Sequence, residues 1–255
     1  MILSVERYVI YAPNRTIEAT PLREGLAYEE VWFTTGDGVR LHGWLVPAPD
    51  ARITLLWFHG NAGNISHRVS NIRYLHHRLG THVFIFDYRG YGRSQGGLSD
   101  LSEAATYRDA DAALAYLRGR RDLADTKLVY FGQSLGAAIA VDIARRQPPA
   151  GLVLETPFTR VQDMARIVAP YWPFPGLLQT KYDSLRKIRE TRVPLLVLHG
   201  DRDEWVPYEQ ARRLFESANE PKTFYTIPGA HHNDTYVVGG EPYFEAWGRF
   251  LRTVQ

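Results

Sequence analysis

The sequence predicts an α/β domain, a mostly parallel central sheet covered by helices on both faces. Short β-branched or aromatic runs alternate with longer helical patterns along most of the chain. The runs LLW, VFIF and LLVL are continuously apolar, as expected of parallel strands buried on both faces. One hairpin signal, GDG between YEEVWFTT and GVRLHGWLVP, precedes the alternation. After it, ITLLWFH, HVFIFDY, KLVYFG, GLVLE, PLLVLHG and TFYTIP read as strands. Helical patterns are expected over Ser66 to Leu79, Leu101 to Arg118, Leu135 to Arg146, Pro207 to Ser217 and Tyr243 to Val254. The segment 157–188 breaks this rhythm with YWPFPG and is expected to be an irregular insertion, a short lid or cap over one end of the sheet. The whole of 1–255 is expected to form a single domain.

Composition narrows the function classes. At 255 residues and 45% hydrophobic content the chain can bury the core of one large domain. Its formal net charge is only +2, with basic and acidic residues interspersed, so no nucleic-acid partner is expected. It has no Cys, which removes disulfides, thiolate metal sites and a cysteine nucleophile together. The opening MILSVERYVIYAPNR carries Glu6 and Arg7 and reads as neither signal peptide nor span, and no window reaches about 18 consecutive apolar residues. The expected compartment is cytoplasmic, with membrane association if an anchor precedes the sequence as given.

YFGQSLGAAIA places Ser134 between Gly132 and Gly136, where a strand ends and a helix begins. A sharp strand-to-helix turn needs strained backbone angles at the serine and close backbone approach around it, which the two glycines permit. Ser134 is therefore expected to project its hydroxyl at the carboxyl end of the sheet. The helix N-terminus beneath it favours an oxyanion, and the N–H of Leu135, the residue after the nucleophile, is an expected donor. A serine of this kind needs an imidazole base. In PGAHHND, His231 and His232 follow the last strand, on the edge where ligands bind in open α/β sheets. His59 and His199 end strands and are expected to be structural, and His42, His76 and His77 to be packing or surface residues. HGDRDEWVP offers Asp201, Asp203 and Glu204 to orient the base; Asp234 is expected to cap or turn its loop. A second oxyanion donor is expected from FHGNAGN after an early strand. No H-E-x-x-H zinc pattern, phosphate loop or complete dinucleotide fingerprint occurs, so no metal or organic cofactor is expected.

Taken in order, HGNAGN, DYRGYGRSQG, GQSLGAAIA, HGDRDEWVP and GAHHND resemble the α/β-hydrolase superfamily. The likeness is strongest to its short-lid serine-hydrolase branch, which includes serine aminopeptidase-like, monoacylglycerol-lipase-like and depalmitoylating thioesterase-like members, and runs from about Tyr28 onward. The resemblance implies Ser134 as nucleophile, Asp203 as the acid, His232 as the base, and the backbone of Asn61 with that of Leu135 as the oxyanion hole. It also implies structural roles for Asp87 and Arg89. The chain departs from the family in carrying His231 where glycine usually precedes the catalytic histidine. The function so implied is that of a serine hydrolase cleaving small-molecule carboxylic esters or thioesters, with small to medium acyl chains. Phe158, Trp172, Phe174, Trp205 and Tyr236 are the expected substrate-pocket residues. A peptidase, with Asp201 and Glu204 gathering a free amine, and a non-catalytic binding protein are the other readings.

Overall fold

The computed structural model describes residues 2–168, 171 and 178–254. Eight strands form one sheet: β1 (Glu29–Thr34), β2 (Arg40–Val46), β3 (Ile53–Phe58), β4 (His82–Phe86), β5 (Lys127–Gln133), β6 (Gly151–Glu155), β7 (Leu195–Gly200) and β8 (Lys222–Ile227). Their spatial order is β1-β2-β4-β3-β5-β6-β7-β8. β1 and β2 pair antiparallel, as do β2 and β4, and the remaining neighbours are parallel. The hairpin is where the sequence put it, with β1 and β2 on either side of the GDG turn. The chain runs from β3 to β4 on one side and returns to β5 on the other. A crevice therefore opens at the carboxyl ends of β3 and β5, the position where such sheets bind ligands.

Nine helices are described: α1 (Ile2–Ile10), α2 (Val69–Leu79), α3 (Glu103–Arg118), α4 (Leu135–Arg146), α5 (Val161–Val168), α6 (Ser184–Lys187), α7 (Tyr208–Ser217), α8 (Thr235–Val238) and α9 (Gly240–Val254). The five expected helical patterns correspond to α2, α3, α4, α7 and α9. α2 starts later than its pattern because Asn64, whose side chain accepts from the Ser66 N–H, begins a tighter turn over Ile65–Arg68. The insertion is less irregular than expected, since it holds α5 and α6. In α5 the apolar Val161 and Met164 stand three residues apart and pack on the core, a periodicity too brief to outweigh the neighbouring prolines on sequence alone.

Side chains of each central strand alternate between two apolar clusters. Leu56 and Phe58 of β3 join Tyr130, Leu152 and Val197 under α3, α4 and α7. Leu55 and Trp57 join Val129, Phe131 and Val153 under α2 and α9. Burying each such side chain stabilises by about 1.5–3 kcal/mol, so the ends of the central strands are well-anchored mounting points.

The loop after β4 is held by charge. Arg89 donates to Asp109 on α3 at 2.7 and 2.9 Å and to Asp37 in the β1–β2 turn at 2.9 and 3.0 Å. Asp87 is wholly buried and accepts the Ile65 N–H at 3.0 Å. Both are structural, as expected. Arg89→Leu would leave the buried Asp109 carboxylate unpaired, and we expect a loss of about 3–5 kcal/mol, read as a lower urea midpoint.

Candidate functional site

Ser134 leaves β5 with φ 53° and ψ −116°, a conformation rarely adopted by a residue with a side chain. Two contacts hold it there: its N–H donates to Glu155 O at 2.9 Å, and its carbonyl accepts from Ala137 N at 3.0 Å. The glycines do what the sequence suggested. A Cβ on Gly136 would lie 1.9 Å from the Phe58 carbonyl oxygen, and one on Gly132 would lie 2.5 Å from Gly136 O. Only bare backbone lets α4 start this close to β3 and β5. Ser134 occupies the cap position of α4, yet its side chain makes no capping bond there, so the hydroxyl is not spent on its own helix.

The loop after β3 runs beside this bend. A Cβ on Gly60 would stand 3.5 Å from Ser134 Cβ, so Gly60, the residue before Asn61, borders the serine. The Asn61 side chain is taken up structurally, its Oδ1 accepting the Ala12 N–H at 3.0 Å and the Tyr91 hydroxyl at 2.9 Å. Its backbone N–H and that of Leu135 donate to no acceptor among the described residues. The loop is braced by His59, whose Nδ1 donates to Gly60 O at 2.7 Å and whose carbonyl accepts from Tyr88 Oη at 3.0 Å. Burial pushes the His59 pKa down to about 3, so the ring is neutral and serves as a strut.

Across the crevice, the loops after β7 and β8 are fastened together: Arg202 N donates to Ala230 O at 3.1 Å, and Asp201 Oδ1 accepts the Gly229 N–H at 2.6 Å. This brings His232 Nδ1 to 2.7 Å from Asp203 Oδ2. The Asp203 side chain is fully buried and that of His232 nearly so. Burial alone would raise the Asp203 carboxyl, but the His232 ring and the Val206 N–H hold it below its ordinary range. It is ionised at neutral pH, so the His232 nitrogen facing it is the donor, and in the neutral imidazole tautomer this sets, Nε2 is the acceptor. Trp205 and Val206 N–H groups, at 2.9 and 2.8 Å, fix the other carboxylate oxygen. His199, expected to be structural, is buried, donates to Val206 O at 2.9 Å and stands 3.4 Å from Asp203.

Of the other candidates, His231 is exposed and pairs with Glu204 at 3.0 Å. Asp234 accepts the His231 N–H at 2.7 Å and starts α8, the turn role expected of it. The expected pocket aromatics that are described differ in setting. Phe158 lies in the core cluster and is 7% exposed, Trp205 is 61% exposed, and Tyr236 on α8 packs against Tyr74. Trp172 and Phe174 lie outside the described residues. Among the described residues no group of three His, Asp or Glu side chains is placed to hold a metal ion, and no helix is long and apolar enough to cross a membrane. A surface cleft of about 470 Å³ lined by Pro194, Pro221 and Phe250 lies at the amino ends of β7 and β8, away from Ser134.

Two site residues went unnoticed in the sequence. Glu155 is wholly buried at the end of β6, where its carboxylate accepts from Gln133 Nε2 at 3.1 Å and from Tyr243 Oη at 2.7 Å. Burial raises its pKa. The signal was an acid closing the otherwise apolar run GLVLE. Arg68, beside the Gly60 loop, had no local signal at all.

A strained serine bend at the switch point of an eight-stranded sheet, with a histidine–carboxylate pair on loops of the same edge, is the arrangement of α/β hydrolases. The chain belongs to the α/β-hydrolase superfamily. The family model described as "Serine aminopeptidase, S33" matches residues 49–174. The α/β-hydrolase domain-containing protein WAV2 of Arabidopsis thaliana is 34% identical over 276 residues, covering 98% of this chain and 89% of the relative. Protein bem46 of Schizosaccharomyces pombe is 37% identical over 243 residues, covering 91% of this chain and 79% of the relative. Among solved structures, the Pyrococcus furiosus esterase Pf2001 superposes with a TM-score of 0.81 at 22% identity, covering 96% of this chain and 98% of that one, a likeness of fold.

The strain at Ser134 carries its own prediction. Ser134→Gly relieves the positive φ, and we expect a gain of about 1 kcal/mol, the cost of the strained conformation less the added chain entropy of glycine. Gly136→Ala drives a methyl into the Phe58 carbonyl, and no soluble folded protein is expected. Thermal melting of the first variant and soluble yield of the second check both.

Proposed function

We propose that the protein is a serine hydrolase acting on carboxylic esters or thioesters through an acyl-enzyme. The observation that carries this reading is the 2.7 Å pairing of His232 with a buried, ionised Asp203 on the same sheet edge as an uncapped, backbone-strained Ser134. In the proposed cycle the Ser134 hydroxyl attacks the acyl carbonyl carbon while His232 Nε2 takes its proton. Asp203 holds the ring in the tautomer that leaves Nε2 free and stabilises the imidazolium that forms. The N–H groups of Asn61 and Leu135 receive the developing oxyanion, an interaction worth about a hundred- to a thousandfold per donor in turnover. Collapse of the tetrahedral intermediate expels the alcohol or thiol, which takes the proton from His232. Water then attacks the acyl-serine, His232 acting as base again, and the acid leaves.

The amidase alternative needs acidic groups free to receive an amine. Asp201 is engaged with the Gly229 N–H and Glu204 with His231, which favours the ester reading. The pocket is proposed to accept small to medium acyl chains.

A fluorophosphonate is expected to modify Ser134, with the adduct located by peptide mass spectrometry and absent from Ser134→Ala; an unmodified serine in folded protein would remove the mechanism. His232→Ala should abolish ester turnover while His231→Ala keeps most of it, and Asp203→Asn should lower kcat by about ten-thousandfold. On p-nitrophenyl esters, kcat/KM is expected to be higher for short than for long acyl chains; the reverse order would overturn the assigned chain length.

A further inference from the structure

Arg68 closes the turn Ile65–Arg68 before α2, and its surroundings differ from those of the other well-held arginines. Arg89, Arg120 and Arg146 are each held by two carboxylates. Arg68 has none within 4.0 Å among the described residues, and the residues outside that set include no Asp or Glu. Its one acceptor among the described residues is Ala62 O, 2.9 Å from Nη2. Nε is sealed from solvent and, like Nη1, has no acceptor among the described residues. Burial pulls the Arg68 pKa down, while Tyr236, Asp87, Tyr88 and Glu155 act on it from further off. Burial also raises the carboxyls of Asp87 and Glu155, which weakens them as compensating charges. A guanidinium stays charged in any protein environment, so this one, partly buried with its Nε sealed, lacks a matching anion, an arrangement that costs stability unless something completes it.

Its place suggests what completes it. A Cβ built on Gly60 would lie 3.5 Å from Ser134 Cβ and 3.9 Å from Arg68 Nη2, so the serine and the guanidinium approach the same point beside Gly60. The Arg68 charge also acts on Tyr236, which follows the His232 loop. An anion held here would sit a few bonds from a carbonyl presented to Ser134. The planar fork of arginine suits the oxygens of a carboxylate or phosphate.

We propose that Arg68 binds an anionic oxygen group, a carboxylate or a phosphate, carried by the ester that Ser134 cleaves. This rests on the serine-hydrolase reading for its chemistry, although the anion site can be tested without turnover. The anion selects the substrate and orients its carbonyl, and the neutral counterpart binds beside an uncompensated charge.

Two matched pairs separate the sources of the anion. p-Nitrophenyl hemiglutarate against p-nitrophenyl pentanoate carries a carboxylate on the acyl side, and 1-butanoylglycerol 3-phosphate against 1-butanoylglycerol carries a phosphate on the alcohol side. Wild-type protein is expected to favour the anionic member of one pair. In Arg68→Gln, which keeps an N–H for Ala62 O, the anionic-to-neutral ratio of kcat/KM should fall by about tenfold to a hundredfold. An equal fall on both members, or no wild-type preference in either pair, would mean that Arg68 only supports the loop. If Arg68→Gln does not fold, Arg68→Lys takes its place, with a smaller fall in the same ratio. If wild type turns over none of these esters and Ser134 resists the fluorophosphonate, the hydrolase reading fails. Calorimetric titration with glutarate and with inorganic phosphate then decides the anion site: binding to wild type that the variant loses supports it, and no binding to wild type overturns it.

Discussion

The carbonyl oxygen of Phe58 occupies the point where a side chain on Gly136 would begin, and the rest of the site follows from that close approach. Because α4 starts against the end of β3, the chain must turn from strand to helix within one residue, and that residue, Ser134, is forced to positive φ. The strain of about 1–3 kcal/mol is supported by the two apolar layers around β3 and β5. A hydroxyl held this way can neither cap its own helix nor relax into the sheet. Its backbone is fixed on both sides, by Glu155 O and by Ala137 N.

The other parts of the site are mounted with graded rigidity. Asp203 sits in a cage of two backbone N–H groups and two imidazoles, so its charge and direction are set before any substrate arrives. The Asn61 loop depends on more distant supports: a neutral His59, the Tyr88 and Tyr91 hydroxyls, and a short pairing of Ala12–Pro13 with Ala62–Gly63. The N-terminal segment is thus part of the site's support although it precedes the first strand of the main sheet. Through Glu6, which accepts the Gln179 and Thr180 N–H groups, and through Tyr11, whose hydroxyl lies 2.9 Å from that of Tyr182, the same segment also holds the far end of the insertion.

Beneath the serine, Gln133, Glu155 and Tyr243 form a buried polar network with no solvent access to the carboxylate, in which Gln133 Oε1 has no partner among the described residues. It joins the residue before Ser134 to the first turns of α9 and so couples the bend to the helix that follows the His232 loop. Such networks are costly when partly satisfied and specific when complete.

Local chemistry wrote much of this into the chain. Period-two and continuous apolar runs announced every strand of the main sheet, since strand burial is a property of a few adjacent residues. The two glycines announced the bend, since a missing side chain is visible without a structure. Family resemblance points to Asp203 and His232, which pair with each other, while Asp201 is engaged with Gly229, Glu204 and His231 with each other at the surface, and Asp234 with its own loop. What spacing could not reveal depends on residues far apart in sequence. The bracing of Asn61 by Ala12, the burial of Glu155 among Gln133 and Tyr243, and the unpaired charge of Arg68 beside Ser134 arise only when separate loops converge at one sheet edge. Whether a polar side chain there is a strut, a surface ornament or a ligand for substrate is decided by which acceptors the fold brings within hydrogen-bonding reach, and no local pattern encodes that distance.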